Sequence, residues 1–249
     1  MVQHRGSTTT LRARLAAGER LAGALVRMPA EEIVEMLAVA GLDFVLVDAE
    51  HGPADIGLLR EHIALADAQG MPVLVRLGEH EPGTALRVLD HGAAGIVAPH
   101  VETAADAEAL VRAVHYPPRG QRGFATYSRA GRFGTVDAAA HRAAAAATLV
   151  IAMLESPAAI RDAAAIVAVP GIDGYLVGTA DLGASRQAAD PTVAELLAAV
   201  RSDPGTADTV RADLANSAAA AVESFDGGAQ VVVYNLTAVL MDVFRSLRA

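Results

Sequence analysis

Asp48, Glu50 and His51 crowd into four positions directly behind an apolar run of Phe, Val and Leu at 44–47. Other polar residues close apolar runs in the same way. Arg76 follows PVLV, Glu155 follows LVIAML, and Asp181 comes just after Gly178-Thr179-Ala180, behind GYLV. Glu155 and Asp181 suit a hard divalent cation that keeps some waters and takes its remaining ligands from substrate oxygens. His51 titrates near neutral pH and can act as a general base. The planar fork of Arg76 fits a carboxylate or an enolate.

Each residue also has a plainer reading. Glu155 precedes Ser156-Pro157 and Asp181 precedes Leu182, so both can be carboxylates at helix N-termini. His51 can cap a helix, and Arg76 can bridge to Asp48 or Glu50 across neighbouring strand ends. Asp90, in LRVLDHG, reads as a solvated helix carboxylate before a glycine stop. Arg119 and Arg122 sit in a Pro/Gly/Arg-rich stretch at 116–135, a length of loop that is usually functional or mobile. They can close over an anionic substrate or stay in solvent.

These groups meet only if strand ends converge, and the rhythm of the chain provides for that. Short apolar runs at 21–26, 44–48, 72–76, 95–98, 149–154, 174–177 and 230–233 alternate with longer, Ala-rich helical stretches near 30–40, 54–68, 82–91, 103–114, 157–168, 191–202 and 236–248. That alternation marks βα units and a parallel sheet. Proline stands close to five helix starts, at 29, 53, 82, 157 and 191, where its missing N–H costs least. Closing a barrel needs an eighth strand, for which the polar stretch 206–213 is the available place, with a helix at 215–225 behind it. The expectation is one (β/α)8 TIM barrel over 1–249, with an N-terminal extension at about 1–18. In such a barrel the chemistry lies at the carboxyl ends of the strands.

The composition narrows the field. At 249 residues, with 53% hydrophobic and 4% aromatic residues, the core is aliphatic. A net charge of -9 with scattered basic residues argues against nucleic acid. The absence of cysteine removes disulfides and thiolate chemistry. No glycine-rich phosphate motif supports a nucleotide cofactor. No apolar stretch reaches a membrane span or a secretory core, and a cytoplasmic protein is expected. All 20 basic residues are arginines, so a Schiff-base lysine is impossible.

The stretches GLDFVLVDAEHGPADI, PVLVR, LDHGAAGIVAPHVETAADAE, YPPRGQRGF, LESPAAI and GIDGYLVGTADLGAS occur in an order and spacing that resembles the HpcH/HpaI aldolases, metal-dependent class II enzymes acting on pyruvate. The resemblance implies that Glu155 and Asp181 hold Mg2+, Mn2+ or Co2+. It implies that His51 is the base, that Asp90 is the carboxylate partnering it, and that Arg76 steadies an enolate. Backbone amides near Gly178, Thr179 and Ala180 would receive a 2-oxo acid carboxylate, with an aldehyde as the second substrate. Asp48, Glu50 and Arg122 would stand around this set. A homo-trimer or homo-hexamer is implied, with the last helix, at about 236–248, packing on a neighbour. Thr179, Gly183 and Met153 depart from the proline, serine and glutamine usual there. The first strand has Leu25 or Val26 where an aromatic residue is common. Decarboxylation of oxaloacetate, a specialised condensation, and a barrel that only binds are the competing readings.

Overall fold

The computed structural model describes residues 9–53, 55–79 and 81–248. Eight parallel strands close into a barrel in sequence order: β1 (Leu21–Val26), β2 (Phe44–Asp48), β3 (Val73–Arg76), β4 (Gly95–Ala98), β5 (Leu149–Leu154), β6 (Gly174–Val177), β7 (Val210–Ala215) and β8 (Val231–Asn235). β1 pairs with both β2 and β8, which completes the ring. The helices are α1 (Leu11–Ala16), α2 (Glu31–Val39), α3 (Ile56–Ala68), α4 (Pro82–His91), α5 (Ala104–Val114), α6 (Ala138–Ala145), α7 (Pro157–Arg161), α8 (Ala163–Val167), α9 (Thr179–Ser185), α10 (Val193–Ser202), α11 (Ala218–Asp226) and α12 (Leu236–Ser246). The expected (β/α)8 barrel is what the chain forms.

Alternation along each strand sorts the side chains into two layers. Leu25, Leu46, Leu74, Val97, Ile151, Met153, Leu176 and Val233 point into the barrel. Val26, Val45, Val75, Ile96, Leu154 and Tyr175 face the helices. Strands buried on both faces read as continuous apolar runs, which is why most were legible. β7 is the exception: its residues VRADLA are half exposed. It starts four residues later than expected, because Thr206 is drawn into a turn, its hydroxyl donating to Val200 O at 2.7 Å and Asp203 O at 3.1 Å. The stretch expected as one helix at 157–168 is two, α7 and α8, parted at Asp162.

α1 lies under the barrel. Its Leu11 and Leu15 join the interior cluster beside Leu21, Phe44 and Leu149. Arg12 pairs with Asp173 at 2.7 Å and Arg14 with Asp43 at 2.7 Å, tying the helix to the segments that lead into β6 and β2. α12 follows β8 and touches β1 and β8, yet Met241, Val243, Phe244 and the adjoining Leu247 are exposed. Among the described residues, no helix is long and apolar enough to cross a membrane.

Candidate active site

Asp48 is the hub. It is the last residue of β2, fully buried and in register with Arg76 at the end of β3. Its Oδ1 accepts from Arg76 Nε at 2.9 Å and from the amides of Glu50 (3.1 Å) and His51 (3.2 Å). Its Oδ2 accepts from Arg76 Nη2 at 2.5 Å and Arg27 Nε at 2.9 Å. One carboxylate therefore folds the DAEH turn and anchors two guanidiniums. A side chain on Gly52 would overlap the Asp48 carbonyl, so the turn needs glycine there. Burial works against the Asp48 charge. The Arg76 hydrogen bonds and charge, with the two amides, outweigh it and hold the carboxyl below its usual range.

Arg76 is almost wholly buried, and its third nitrogen, Nη1, lies 3.1 Å from Glu50 Oε2 without hydrogen-bond geometry. With Nε and Nη2 fixed on Asp48, that corner of the fork is the one left for a substrate oxygen. His51 is the exposed member, with 58% of its side chain accessible and Nε2 3.9 Å from Glu50 Oε2. It can therefore approach a substrate without reorganising the core.

Glu155, directly beyond β5, is 2% exposed. Its Oε2 accepts from the His100 amide at 2.9 Å, and the His100 ring nitrogens lie 3.6 Å from Glu155 Oε2 and Glu50 Oε1. Burial, followed by repulsion from Glu50 and Asp181, pushes the Glu155 carboxyl upward, although the His100 amide opposes this. Asp181 lies in the first turn of α9, whose N-cap is Gly178. Among the described residues, neither Glu155 nor Asp181 is ion-paired to an arginine. Among those same described residues, no third His, Asp or Glu joins them in a ready-made metal cage. Two carboxylates repelling each other at a buried strand end fit a divalent cation whose remaining positions are open to water and substrate.

Asp48, Glu50, His51, Arg76, Glu155, Gly178, Thr179, Ala180 and Asp181 thus share the carboxyl face of the barrel. Asp90 and Arg122 do not. Asp90 ends α4, which has returned to the amino end of β4. There its carboxylate meets Arg122 Nη2 at 2.5 Å and its carbonyl accepts from Ala130 N. Arg122 is buried with its guanidinium 4.6 Å over the Tyr116 ring. The 116–135 loop, whose arginines could close over a substrate or stay in solvent, follows α5 and precedes α6 and β5, so it belongs to the opposite end. Within one chain, Asp90 cannot partner His51, and Arg119 and Arg122 cannot close over the site.

Two further polar groups stand at the site. Arg27 closes β1, and its signal was the one used elsewhere, a charge directly after LAGALV. His100 follows β4 with φ 51°, a left-handed conformation that is uncommon for any residue but glycine. No sequence pattern announces that backbone state.

A closed (β/α)8 barrel thus gathers carboxylates, a histidine and an anchored arginine at its carboxyl face. Residues 25–233 match the HpcH/HpaI aldolase/citrate lyase family. The chain is 38% identical over 178 residues to a hydroxypyruvate/pyruvate aldolase of Roseobacter denitrificans, covering 71% of this chain and 69% of that protein. It is 34% identical over 172 residues to a pyruvate aldolase of Rhizobium etli, covering 69% and 67%. An HpcH/HpaI aldolase from Desulfitobacterium hafniense superposes with a TM-score of 0.86 at 26% identity, covering 97% of this chain and 96% of that one. The chain belongs to the HpcH/HpaI aldolase/citrate lyase family, and it is a carbon–carbon lyase of the aldolase kind.

Proposed function

We propose that this enzyme cleaves and forms 4-hydroxy-2-oxo acids through the enolate of pyruvate, with Glu155 and Asp181 holding Mg2+, Mn2+ or Co2+. The observation that carries the reading is the buried Glu155, its Oε2 held by the His100 amide and, among the described residues, paired to no arginine, with His100 and Glu50 standing between it and the exposed His51.

The cation, when bound, polarises the keto group of the 2-oxo acid. The first amides of α9, at Thr179 and Ala180, receive the acid's carboxylate, while the Gly178 amide donates to Leu154 O at 3.2 Å. His51 takes the proton of the 4-hydroxyl as the C3–C4 bond breaks. The aldehyde leaves, and the bonding pair becomes the enolate of pyruvate, which takes a proton at C3. Arg76 offers its Nη1 corner to the enolate oxygen, held in place by Asp48. Condensation reverses these steps. With no lysine in the chain, no Schiff base competes.

Asp90 joins His51 between chains, because each chain keeps the two at opposite ends of its barrel. A homo-trimer or homo-hexamer supplies that neighbour, and the uncovered apolar face of α12 supplies a contact for it. We place the enzyme in the cytoplasm, in keeping with its cysteine-free sequence.

The test is deuterium exchange into the methyl group of pyruvate. Exchange that needs added Mn2+ and disappears in Glu155→Gln supports the reading. Metal-independent exchange, or none, rejects it.

A further inference from the structure

Strand pairing between β4 and β5 stops at Ala98 opposite Ala152. Two residues on, His100 turns left-handed, with φ 51°. The amides on either side of that angle both reach toward β5. His100 N–H donates to Glu155 Oε2 at 2.9 Å, and Val101 N–H donates to Met153 O at 3.2 Å. A left-handed residue beside its neighbour is what lets successive amides converge in this way, and such a pair makes a concavity for an anion. Besides His100, the described non-glycine residues with positive φ are Arg132 and Phe133, both in the 116–135 loop. A side-chain-bearing residue held in this conformation at a strand end persists only because its surroundings enforce it.

The two oxygens of Glu155 thereby have different neighbours. The His100 amide claims Oε2 from the β4 side. Oε1 lies over Gly178, where an added Cβ would stand 2.2 Å from it. Gly178 caps the helix whose first turn carries Asp181, so the oxygen nearer Asp181 is the one the amide leaves unclaimed. The imidazole is a weaker tie. Its Nδ1 is 3.6 Å from Glu155 Oε2 and its Nε2 is 3.6 Å from Glu50 Oε1, both beyond hydrogen-bonding reach, and 37% of the side chain is accessible.

We propose that His100 is a positioning residue for the cation and acts through its backbone: the left-handed turn after β4 fixes Glu155 by Oε2 and so leaves Oε1 for the ion beside Asp181. This inference rests on the reading of Glu155 and Asp181 as the metal ligands. It makes the conformation at His100, rather than its ring, the feature on which cation affinity depends.

Calorimetric titration of Mn2+ into the metal-free enzyme and into variants at His100 tests it, with the metal-free melting temperature of each as the check on folding. Glycine and asparagine accept the left-handed conformation, and valine resists it. His100→Gly and His100→Asn are expected to keep the wild-type affinity. His100→Val is expected to lose roughly 10–100-fold, the range for a group that orients a metal ligand. If His100→Val does not fold, His100→Ala takes its place, and it should bind Mn2+ more weakly than His100→Gly. Equal losses in the glycine, asparagine and valine variants would assign the effect to the imidazole and overturn the inference. Unchanged binding in His100→Val, or equal binding in His100→Ala and His100→Gly, would overturn it as well. A wild-type isotherm with any of those patterns removes only the role of His100, whereas a wild type that takes up no Mn2+ removes the metal reading itself.

Discussion

Glu155 lies so close against Gly178 that a single carbon added to the glycine would overlap its Oε1. The end of β6 has given up a side chain so that the carboxylate beyond β5 can stand over it. Gly178→Ala must therefore push Glu155 aside. Loss of a group that supports a ligand costs about 10–100-fold in metal affinity. Calorimetry with Mn2+ should show that loss against the wild type, and an unchanged isotherm would mean that Glu155 does not hold the ion.

Asp48→Asn is expected to be a stability variant before it is a catalytic one. It leaves the buried Arg76 with Glu50 as its one remaining close counter-charge among the described residues, and breaking a buried pair from one side costs about 3–5 kcal/mol. Urea unfolding measures it. The same substitution on an exposed pair would cost far less, so a small effect would show that water reaches Asp48 freely.

His51→Gln should lower the cleavage rate by about 10²–10⁴-fold. It should leave the melting temperature alone, because the side chain is largely exposed. Asp90→Asn should also slow cleavage. If the two residues meet between chains, unfolding and refolding a mixture of the variants together restores part of the activity, since some sites then draw an intact residue from each chain. No recovery would place the partner of His51 elsewhere.

His115 makes a separate prediction about pH. Burial, then the charges of Arg119 and Arg12, lower its pKa from 6.5 to about 4, and its Nε2 is buried without a partner among the described residues. Between those values the unfolded chain takes up a proton that the folded chain refuses. Stability therefore falls as pH drops from 6.5 toward about 4, by up to about 3 kcal/mol from this group. Unfolding free energies across that window should decline less steeply in His115→Gln. An identical slope would show that His115 protonates inside the folded chain.

The barrel was legible because strands buried on both faces announce themselves as unbroken apolar runs. β7 is wetter, and its start was placed too early for that reason. Asp48, Glu50, Arg76, Glu155 and Asp181 could be read from one rule, a polar residue directly behind an apolar run, and Arg27 obeys the same rule unnoticed. His100 depends on a backbone angle that no composition encodes. Asp90 came from resemblance alone, and the fold then set it at the wrong end for its own His51. The length of the 116–135 loop suggested function, but loop length carries no information about which end of a barrel a loop serves. That follows from counting helices: a loop entered from α5 is already at the base.

α1 closes that base. With Leu11 and Leu15 stopping the lower mouth and aliphatic side chains filling the axis, the barrel is a well with one doorway. Accessibility rises from Glu155 at the bottom through Arg27 to His51 at the rim. Traffic through such a well is last in, first out. The 2-oxo acid must enter before its partner, and in cleavage the aldehyde must depart before pyruvate can. On the proposed aldol reaction, pyruvate is then the last product to leave.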